Sequence, residues 1–305
     1  MSLWNSERCL YNHFMRHATA IVNGYVLLPG LENFYLRMKE ELSYLGFDLR
    51  LRKTTELLSW INEEGEIVGD ESLGEFILFL DKDLYLSHLL EKRGYRLFNS
   101  AEAIRLCDDK MLTNIALSNH GIKMPKTYGA PLNYFNGDNE AYLSQIESVL
   151  PYPFVAKASF GSMGNGVFLI KNRSDLDEFS KKHANSATIF QEFIASSSGK
   201  DYRVIVIDKK VVAAMKRENK NDFRSNIARG GKGTPATLDN DFKEVAERCA
   251  AILDCDYCGV DLLIGPSKEP IVCEVNSNAF IAGIERATGI NIAKAYAEYI
   301  AQSLK

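Results

Sequence analysis

The sequence predicts an α/β protein assembled from α+β subdomains. Three observations carry the prediction. The first hundred residues alternate helical periodicity with short apolar runs, a glycine-rich stretch near residue 160 lies between two apolar runs, and two more such runs flank a turn near residue 267. Alternation of helix and strand in the first third implies a small sheet with helices against it.

Taken in order, residues 31–45 carry helical periodicity, 47–51 read as a strand, and Phe76-Ile77-Leu78-Phe79-Leu80 is a continuous apolar strand. Residues 84–92 return to helix and 95–98 to strand. A new unit starts at Asp108-Asp109-Lys110, where a helix runs to Asn119 and stops at Gly121. Pro125 and Pro131 then interrupt the chain before the next regular element. Residues 138–183 read helix, strand, glycine loop, strand, helix. From Thr188 the chain is strand-rich, with a helix over 239–253, strands over 258–264 and 271–276, and a closing helix from Asn291.

The bulk properties narrow the classes. A chain of 305 residues can bury a large core divided into two or three subdomains. With 46% apolar and 25% charged residues it has the composition of a soluble globular protein. A net charge of −4 argues against a general nucleic-acid binder or a membrane-surface protein, and no apolar run reaches the length of a membrane span. Glu7, Arg8, His13, Arg16 and His17 make the N-terminus unlike a signal peptide, so a cytoplasmic protein is expected. Cys255-x-x-Cys258 has redox or zinc spacing, but Cys258 begins a strand and no second pair accompanies it. All six cysteines therefore read as reduced thiols, with Cys249, Cys258 and Cys273 as small core residues. His13 and His17 have helix-neighbour spacing without a third ligand and read as surface residues.

The hairpin near residue 267 holds the most informative pattern. Folded symmetrically about Ser267 and Lys268, it sets Asp261 directly opposite Glu274, with Asn276 on the same face two residues on. Like charges opposite one another destabilise a sheet, and burying them costs more unless a cation lies between. Three hard oxygen donors with no His or Cys expected on that face suit Mg²⁺, which keeps few protein ligands and leaves its other positions to water and phosphate.

A phosphate-binding end is also legible. Pro153-Phe154-Val155-Ala156-Lys157 delivers a lysine to the end of a strand, and Gly161, Gly164 and Gly166 follow within Ser159–Gly166. Closely spaced glycines let backbone N–H groups approach a phosphate. No Gly-Lys-Ser/Thr opens a helix here, the lysine precedes the glycines rather than following them as in a protein kinase, and the glycines sit between two strands. P-loop, kinase and dinucleotide-fold readings are thereby set aside. Lys216, Arg217, Lys220, Arg224, Arg229 and Lys232 then form a basic patch in a net acidic chain. Lysine, arginines, glycine loop and oxygen donors together are what holds a triphosphate and moves its γ-phosphoryl group.

On these residues the chain resembles the RimK-type (α-L-glutamate ligase) family of the ATP-grasp superfamily. The resemblance runs from about residue 95 to the end. It rests on an ordered series: Cys107-Asp108-Asp109-Lys110, Pro153–Lys157, Gly161–Val167, Gln191-Glu192-Phe193-Ile194, Gly199–Val204, Phe223-Arg224-Ser225-Asn226, Gly259-Val260-Asp261 and Glu274-Val275-Asn276. Phe79-Leu80-Asp81-Lys82-Asp83 matches a subset of the family. Lys216 within Met215-Lys216-Arg217 and Asn221 before Asp222 are loop-level departures.

The resemblance implies an ATP-grasp fold behind an N-terminal α/β preceding domain: residues 1–106 as that domain, 107–187 as a glycine-loop subdomain and 188–305 as a metal-binding subdomain. It implies that Lys110 and Lys157 contact phosphates, with Gly161, Ser162, Gly164 and Gly166 in the covering loop. Glu192 and Phe193 would read adenine through the backbone, Asp201 would lie near the ribose, and Arg224, Ser225 and Asn226 would bind ATP. Asp261, Glu274 and Asn276 would hold Mg²⁺ or Mn²⁺, two ions in all, while Arg217, Arg203 and Lys157 would face the reacting groups. The implied activity is ATP-dependent joining of a carboxylate to an amine through an acyl phosphate, adding glutamate or a similar amino acid to an amino-acid, peptide or protein acceptor. Family members commonly associate, which leaves a homo-oligomer open. A non-catalytic nucleotide-binding regulator is the alternative of another class, and a dipeptide or carrier-protein ligase is the alternative specificity.

Overall fold

The computed structural model describes residues 15–69, 72–133, 137–161 and 164–305. The chain begins with strand β1 (Arg16–Val22), helix α1 (Pro29–Tyr44) and strand β2 (Phe47–Lys53). A small hairpin of β3 (Ser59–Ile61) and β4 (Ile67–Gly69) comes next, then β5 (Phe76–Leu80), α2 (Leu84–Lys92) and β6 (Arg96–Phe98). The four longer-range partners pair in parallel in the order β2-β1-β5-β6. All five residues of β5 are buried, which is why that strand reads as an unbroken apolar run.

Strand β1 is not anticipated by the sequence pattern. Its first two residues, Arg16 and His17, are exposed, and buried Thr19 interrupts the apolar series while its hydroxyl donates to the Leu73 carbonyl at 2.7 Å. His17 thus stands exposed on a strand, not on a helix, and His13 lies outside the described residues. The β3–β4 hairpin is too short and too exposed to leave a periodic signal.

Helices α3 (Ala101–Asp108) and α4 (Lys110–Leu117) meet at Asp109, whose carboxylate accepts from the Met111 and Leu112 N–H groups at 2.8 and 3.2 Å. That N-cap separates them and places Lys110 in the first turn of α4. The next unit comprises β7 (Thr127–Gly129), α5 (Glu140–Val149), β8 (Phe154–Ala158), β9 (Val167–Ile170), α6 (Arg173–Lys182) and β10 (Thr188–Glu192). Its strands run antiparallel in the order β7-β10-β8-β9 over a core of Phe154, Ile170, Leu176, Phe179 and Phe190.

The last unit holds β11 (Lys200–Ile207), β12 (Lys210–Glu218), β13 (Lys232–Pro235), α7 (Asn240–Ile252), β14 (Tyr257–Ile264), β15 (Pro270–Asn276), α8 (Ala282–Thr288) and α9 (Ile292–Ser303). Its antiparallel sheet has the order β13-β12-β11-β14-β15. Phe242, Ala246 and Cys249 of α7 cover one face, against Val204, Val260 and Leu262. On the other face Tyr296 and Ile300 of α9 join Phe34 of α1, Ile205 and Tyr257, and that core continues into Phe76 and Phe98 of the first sheet. The parallel sheet is therefore locked to the β11–β15 sheet through shared apolar packing.

Cys249 and Cys258 are buried as expected, but Cys273 is only half-buried and is not a core residue. The five described cysteines are free thiols, with the sulfurs of Cys107 and Cys255 3.6 Å apart. Among the described residues no helix is long and apolar enough to cross a membrane.

Candidate active site

The β14–β15 hairpin faces Asp261 against Glu274, as the sequence anticipates, though by a different route. Near the turn the pairing is Ile264 with Pro270 and Leu262 with Val272, which centres the hairpin on Ser267. A β-bulge between Asp261 and Leu262 then leaves Cys273 as the extra residue on β15 and restores the Asp261–Glu274 register. A bulge re-aims side chains, and here Cys273 and Glu274, though adjacent in sequence, both line one cleft. Cys273 departs from its expected place in the core for this reason.

The same face carries a row of alternating charge across three further positions. Arg203 on β11 is registered opposite Asp261, and Arg217 on β12 opposite Asp201 on β11. Arg203 donates from both Nε and Nη2 to the Asp261 carboxylate, the latter at 2.8 Å. Arg217 donates from Nε to Asp201 Oδ1 at 2.7 Å and from Nη2 to Asp201 Oδ2 at 2.5 Å, with Asp261 Oδ2 2.9 Å away. Asp201, Arg217 and Asp261 are 5%, 4% and 3% exposed. Burial pushes the Asp261 carboxyl upward, but Arg203 and Arg217 outweigh it and hold the group below the usual aspartate value. Burial likewise opposes charge on Arg217, yet Asp261 and Asp201 raise it above the ordinary arginine value. Both partners therefore stay ionised. Gly259 lies opposite Asn276, where a Cβ would come within 2.5 Å of the Ala279 Cβ and 3.2 Å of Arg203 Cδ, so only glycine lets Arg203 pass.

Facing this row across the cleft are two lysines. Lys110 donates from Nζ to the carbonyls of Gly161 at 2.9 Å and Ser159 at 3.3 Å and lies 3.9 Å from Glu274 Oε1. Burial lowers its pKa, with the Glu274 charge opposing. Lys157, at the end of β8, is 8% exposed, and its Nζ meets only the Cys273 sulfur at 3.8 Å, with no acid in reach among the described residues. A buried ammonium without an anion is costly, and the site is thereby prepared for one.

Gly161 and Gly164 of the glycine loop line the cleft with the two lysines. Gly161, Gly164 and Gly166 have φ of +121°, +72° and +71°, conformations that favour glycine. Arg224 holds the loop to the third sheet: its guanidinium donates to the carbonyls of Gly164 at 3.1 Å and Val167 at 3.0 Å while Asp222 engages its Nε and Nη2. Val155, Val167, Phe193, Phe223 and Leu263 add apolar lining to the same cleft beside Glu192 and Ile194. Gln191 also lines it, and its buried Oε1 receives no donor among the described residues.

The residues fit a divalent cation. Asp261 accepts from two guanidiniums yet a carboxylate offers about four acceptor positions, so a place remains for an ion. The Asn276 Nδ2 is buried without an acceptor among the described residues, and because the amide orientation is an assignment the opposite orientation turns an oxygen to the same point. Among the described residues no cluster of three or more His, Cys, Asp or Glu side chains forms a metal cage, since the third donor here is an amide.

The cleft brings together Lys110, Lys157, Gly161, Gly164, Glu192, Phe193, Asp201, Arg217, Arg224, Ser225, Asn226, Asp261 and Glu274. Gly166 stands at the base of the loop beside Ala158, Arg203 lies behind Asp261, Asn276 sits one step along the hairpin, and Ser162 is outside the described residues. Sequence reasoning passed over Gln191 as an ordinary strand residue and Cys273 as core; only the β10 and β15 registers reveal them.

Comparison with known proteins gives a consistent picture. The RimK-like ATP-grasp domain family matches residues 107–300. A probable alpha-L-glutamate ligase of Maridesulfovibrio salexigens is 35% identical over 215 residues, 69% of this chain and 68% of that protein. Beta-citrylglutamate synthase B of Mus musculus is 34% identical over 226 residues, 73% of this chain but 57% of that protein. An uncharacterised protein of Mycoplasma pneumoniae is 35% identical over 207 residues, 66% of this chain and 72% of its own length. In fold, the D-cycloserine synthetase DcsG aligns with a TM-score of 0.72 at 18% identity, over 95% of this chain and 100% of that one. The ATP-grasp ligase PsnB with its minimal precursor aligns with a TM-score of 0.69 at 19% identity, over 95% of this chain and 100% of that one.

Proposed function

Because this chain belongs to the RimK-like ATP-grasp family, we propose that it joins the amine of L-glutamate, or of a closely related amino acid, to a carboxylate through an acyl phosphate. Family membership makes it an ATP-binding ligase, an enzyme that forms carbon–nitrogen bonds. The observation that carries the finer reading is the facing of Lys157, a buried cation without an acid, and the Asp261–Glu274 pair within one cleft. Glutamate enters the proposal because relatives named for its ligation, beta-citrylglutamate synthase B and the probable alpha-L-glutamate ligase, match most of the chain.

In this reading the base lies against Val155, Phe193 and Leu263, with Glu192 and Phe193 offering main-chain partners and Gln191 Oε1 accepting from an exocyclic amine. Asp201 borders the sugar, and Arg224, Ser225 and Asn226 border the nucleotide from the third sheet. Lys110, Lys157 and the glycine-loop amides hold the phosphates. Asp261, Glu274 and Asn276 hold two Mg²⁺ or Mn²⁺ ions, which when bound neutralise charge on the phosphate oxygens. The substrate carboxylate attacks the γ-phosphorus and ADP leaves; the amine then attacks the acyl carbon, loses a proton, and phosphate departs as the amide forms. Arg217 and Arg203, fixed by Asp201 and Asp261, present a rigid positive wall to the developing charge. The loop closed by Arg224 keeps water from the acyl phosphate. The expected boundary at residue 188 falls one strand early, since β10 (Thr188–Glu192) pairs with β7 and β8; in this reading the nucleotide is clamped between that sheet and the β11–β15 sheet. No observation favours a regulator that only binds nucleotide.

The test is a screen of phosphate release with Mg·ATP and L-glutamate against a panel of carboxylic acids and peptides, with products identified by mass. Release that requires both glutamate and a carboxylate supports the proposal. Equal release with glutamate omitted, or replaced by an unrelated amino acid, contradicts it.

A further inference from the structure

Among the described residues Lys110, Arg217 and Arg224 of the cleft are engaged by acids or loop carbonyls, Lys157 and Lys200 have no such partner, and one more cation at the rim is short of an acid. Arg229 lies in the turn between β12 and β13, next to Asn226. Its Nη2 donates to Asn165 Oδ1 at 2.8 Å, on the glycine loop. Among the described residues its buried Nε has no acceptor and the guanidinium forms no ion pair. Arg224, five residues earlier, has Asp222 as its acid; Arg217 has Asp201 and Asp261. A buried N–H of a charged group left without an acceptor carries the full penalty of desolvation. Such a group persists where a ligand completes it.

Position says which part of the ligand. A Cβ on Gly164 would come within 2.9 Å of both Arg229 Nε and Asn226 Oδ1, so the orphan donor lies against the loop that covers the phosphates. The same turn reaches α8 on its other side, where a Cβ on Gly283 would meet Ile227 Cδ1 at 3.2 Å. Helix α8 comes directly after the strand that carries Glu274 and Asn276. Arg229 is therefore placed between Gly164 and Asn165 of the loop and a turn that reaches helix α8, the element after the strand that carries Glu274 and Asn276. We infer that Arg229 grips the terminal phosphoryl group of the nucleotide, its Nε donating to the group that is transferred. The inference rests on the nucleotide reading of the cleft and adds a catalytic residue that motif reading left in a surface patch.

A competing role is a latch that acts only through Asn165. Calorimetric titration with Mg²⁺ and either ADP or the β,γ-imido analogue of ATP separates the two, because only the analogue carries the terminal group. Arg229→Gln is expected to weaken the analogue by roughly 10- to 100-fold, the range for one charge-assisted hydrogen bond, while ADP affinity stays near wild type. Arg229→Lys should recover part of the loss, since it keeps the charge without the fork. Asn165→Ala should affect both nucleotides alike. Equal weakening of ADP and analogue by Arg229→Gln, no weakening of either, or a selective loss reproduced by Asn165→Ala overturns the inference. Wild-type protein that binds neither nucleotide overturns the functional proposal and this inference together; wild-type binding of both leaves the proposal standing whatever Arg229 does.

Discussion

Arg217→Met is the most informative single perturbation of the charged row. The guanidinium is 4% exposed and is shared between Asp201 and Asp261, themselves 5% and 3% exposed. Removing it leaves Asp201 with no cation in contact among the described residues and Asp261 with Arg203 alone. Breaking a buried pair by deleting one partner costs about 3–5 kcal/mol, because the carboxylate left behind stays desolvated. At this chain length each kcal/mol moves Tm by roughly 1.5–3 °C, so the expected fall is roughly 5–15 °C. The assay is thermal unfolding followed by far-UV circular dichroism, with Lys294→Met as a control. Lys294 pairs with Glu298 at 3.9 Å on an exposed helix face, a pair worth about 0–1 kcal/mol. Adding Asp201→Asn to Arg217→Met should recover part of the loss, since the amide no longer buries a charge. A fall no larger than that of the Lys294 control, or no recovery in the double variant, would refute the reasoning that the row is a buried and mutually dependent ion network.

The same geometry makes three further predictions. Lys157→Met should leave Tm unchanged or raised, since it deletes a buried ammonium that no acid balances, while weakening nucleotide binding at least tenfold; a large loss of stability would contradict this reading of Lys157. Asp261 has a folded pKa below its unfolded value near 3.9, so its contribution is complete above that pH and is lost as pH falls through the folded value. The stability difference between wild type and Asp261→Asn should therefore be flat from about pH 5 to 8 and shrink below about pH 4, as read by urea unfolding at each pH. Burial raises the Cys273 thiol, and the residue lines the cleft, so maleimide labelling at Cys273 should be slow at pH 7, accelerate as pH rises, and be blocked by Mg²⁺ with the imido analogue. Labelling indifferent to nucleotide would remove Cys273 from the site.

Much of the architecture was legible because its signals are local. The run Phe76–Leu80 is apolar on both faces and can only be an interior strand, and β8, the glycines and β9 succeed one another in sequence as they do in space. Register was legible only in part. A symmetric hairpin about Ser267 and Lys268 predicts the Asp261–Glu274 facing, yet the turn is centred on Ser267 and the bulge at Cys273 supplies the missing step. A bulge leaves no periodic trace, so Cys273 reads as core until the pairing is seen. Strand β1 was hidden by Arg16, His17 and Thr19, whose partners Glu75, Asp48 and the Leu73 carbonyl lie far along the chain. Arg229 was lost for a related reason: a basic loop resembles any solvated surface until its orphan Nε and its neighbour Gly164 are located.

The central claim is that the acidic hairpin binds a divalent ion that ties the nucleotide into the cleft. Calorimetric titration of the imido analogue with and without Mg²⁺, on wild type and on Glu274→Gln, tests it most directly. Wild-type affinity should rise at least tenfold with Mg²⁺, and Glu274→Gln should lose most of that rise while keeping its metal-free affinity. An identical Mg²⁺ enhancement in both proteins would contradict the account.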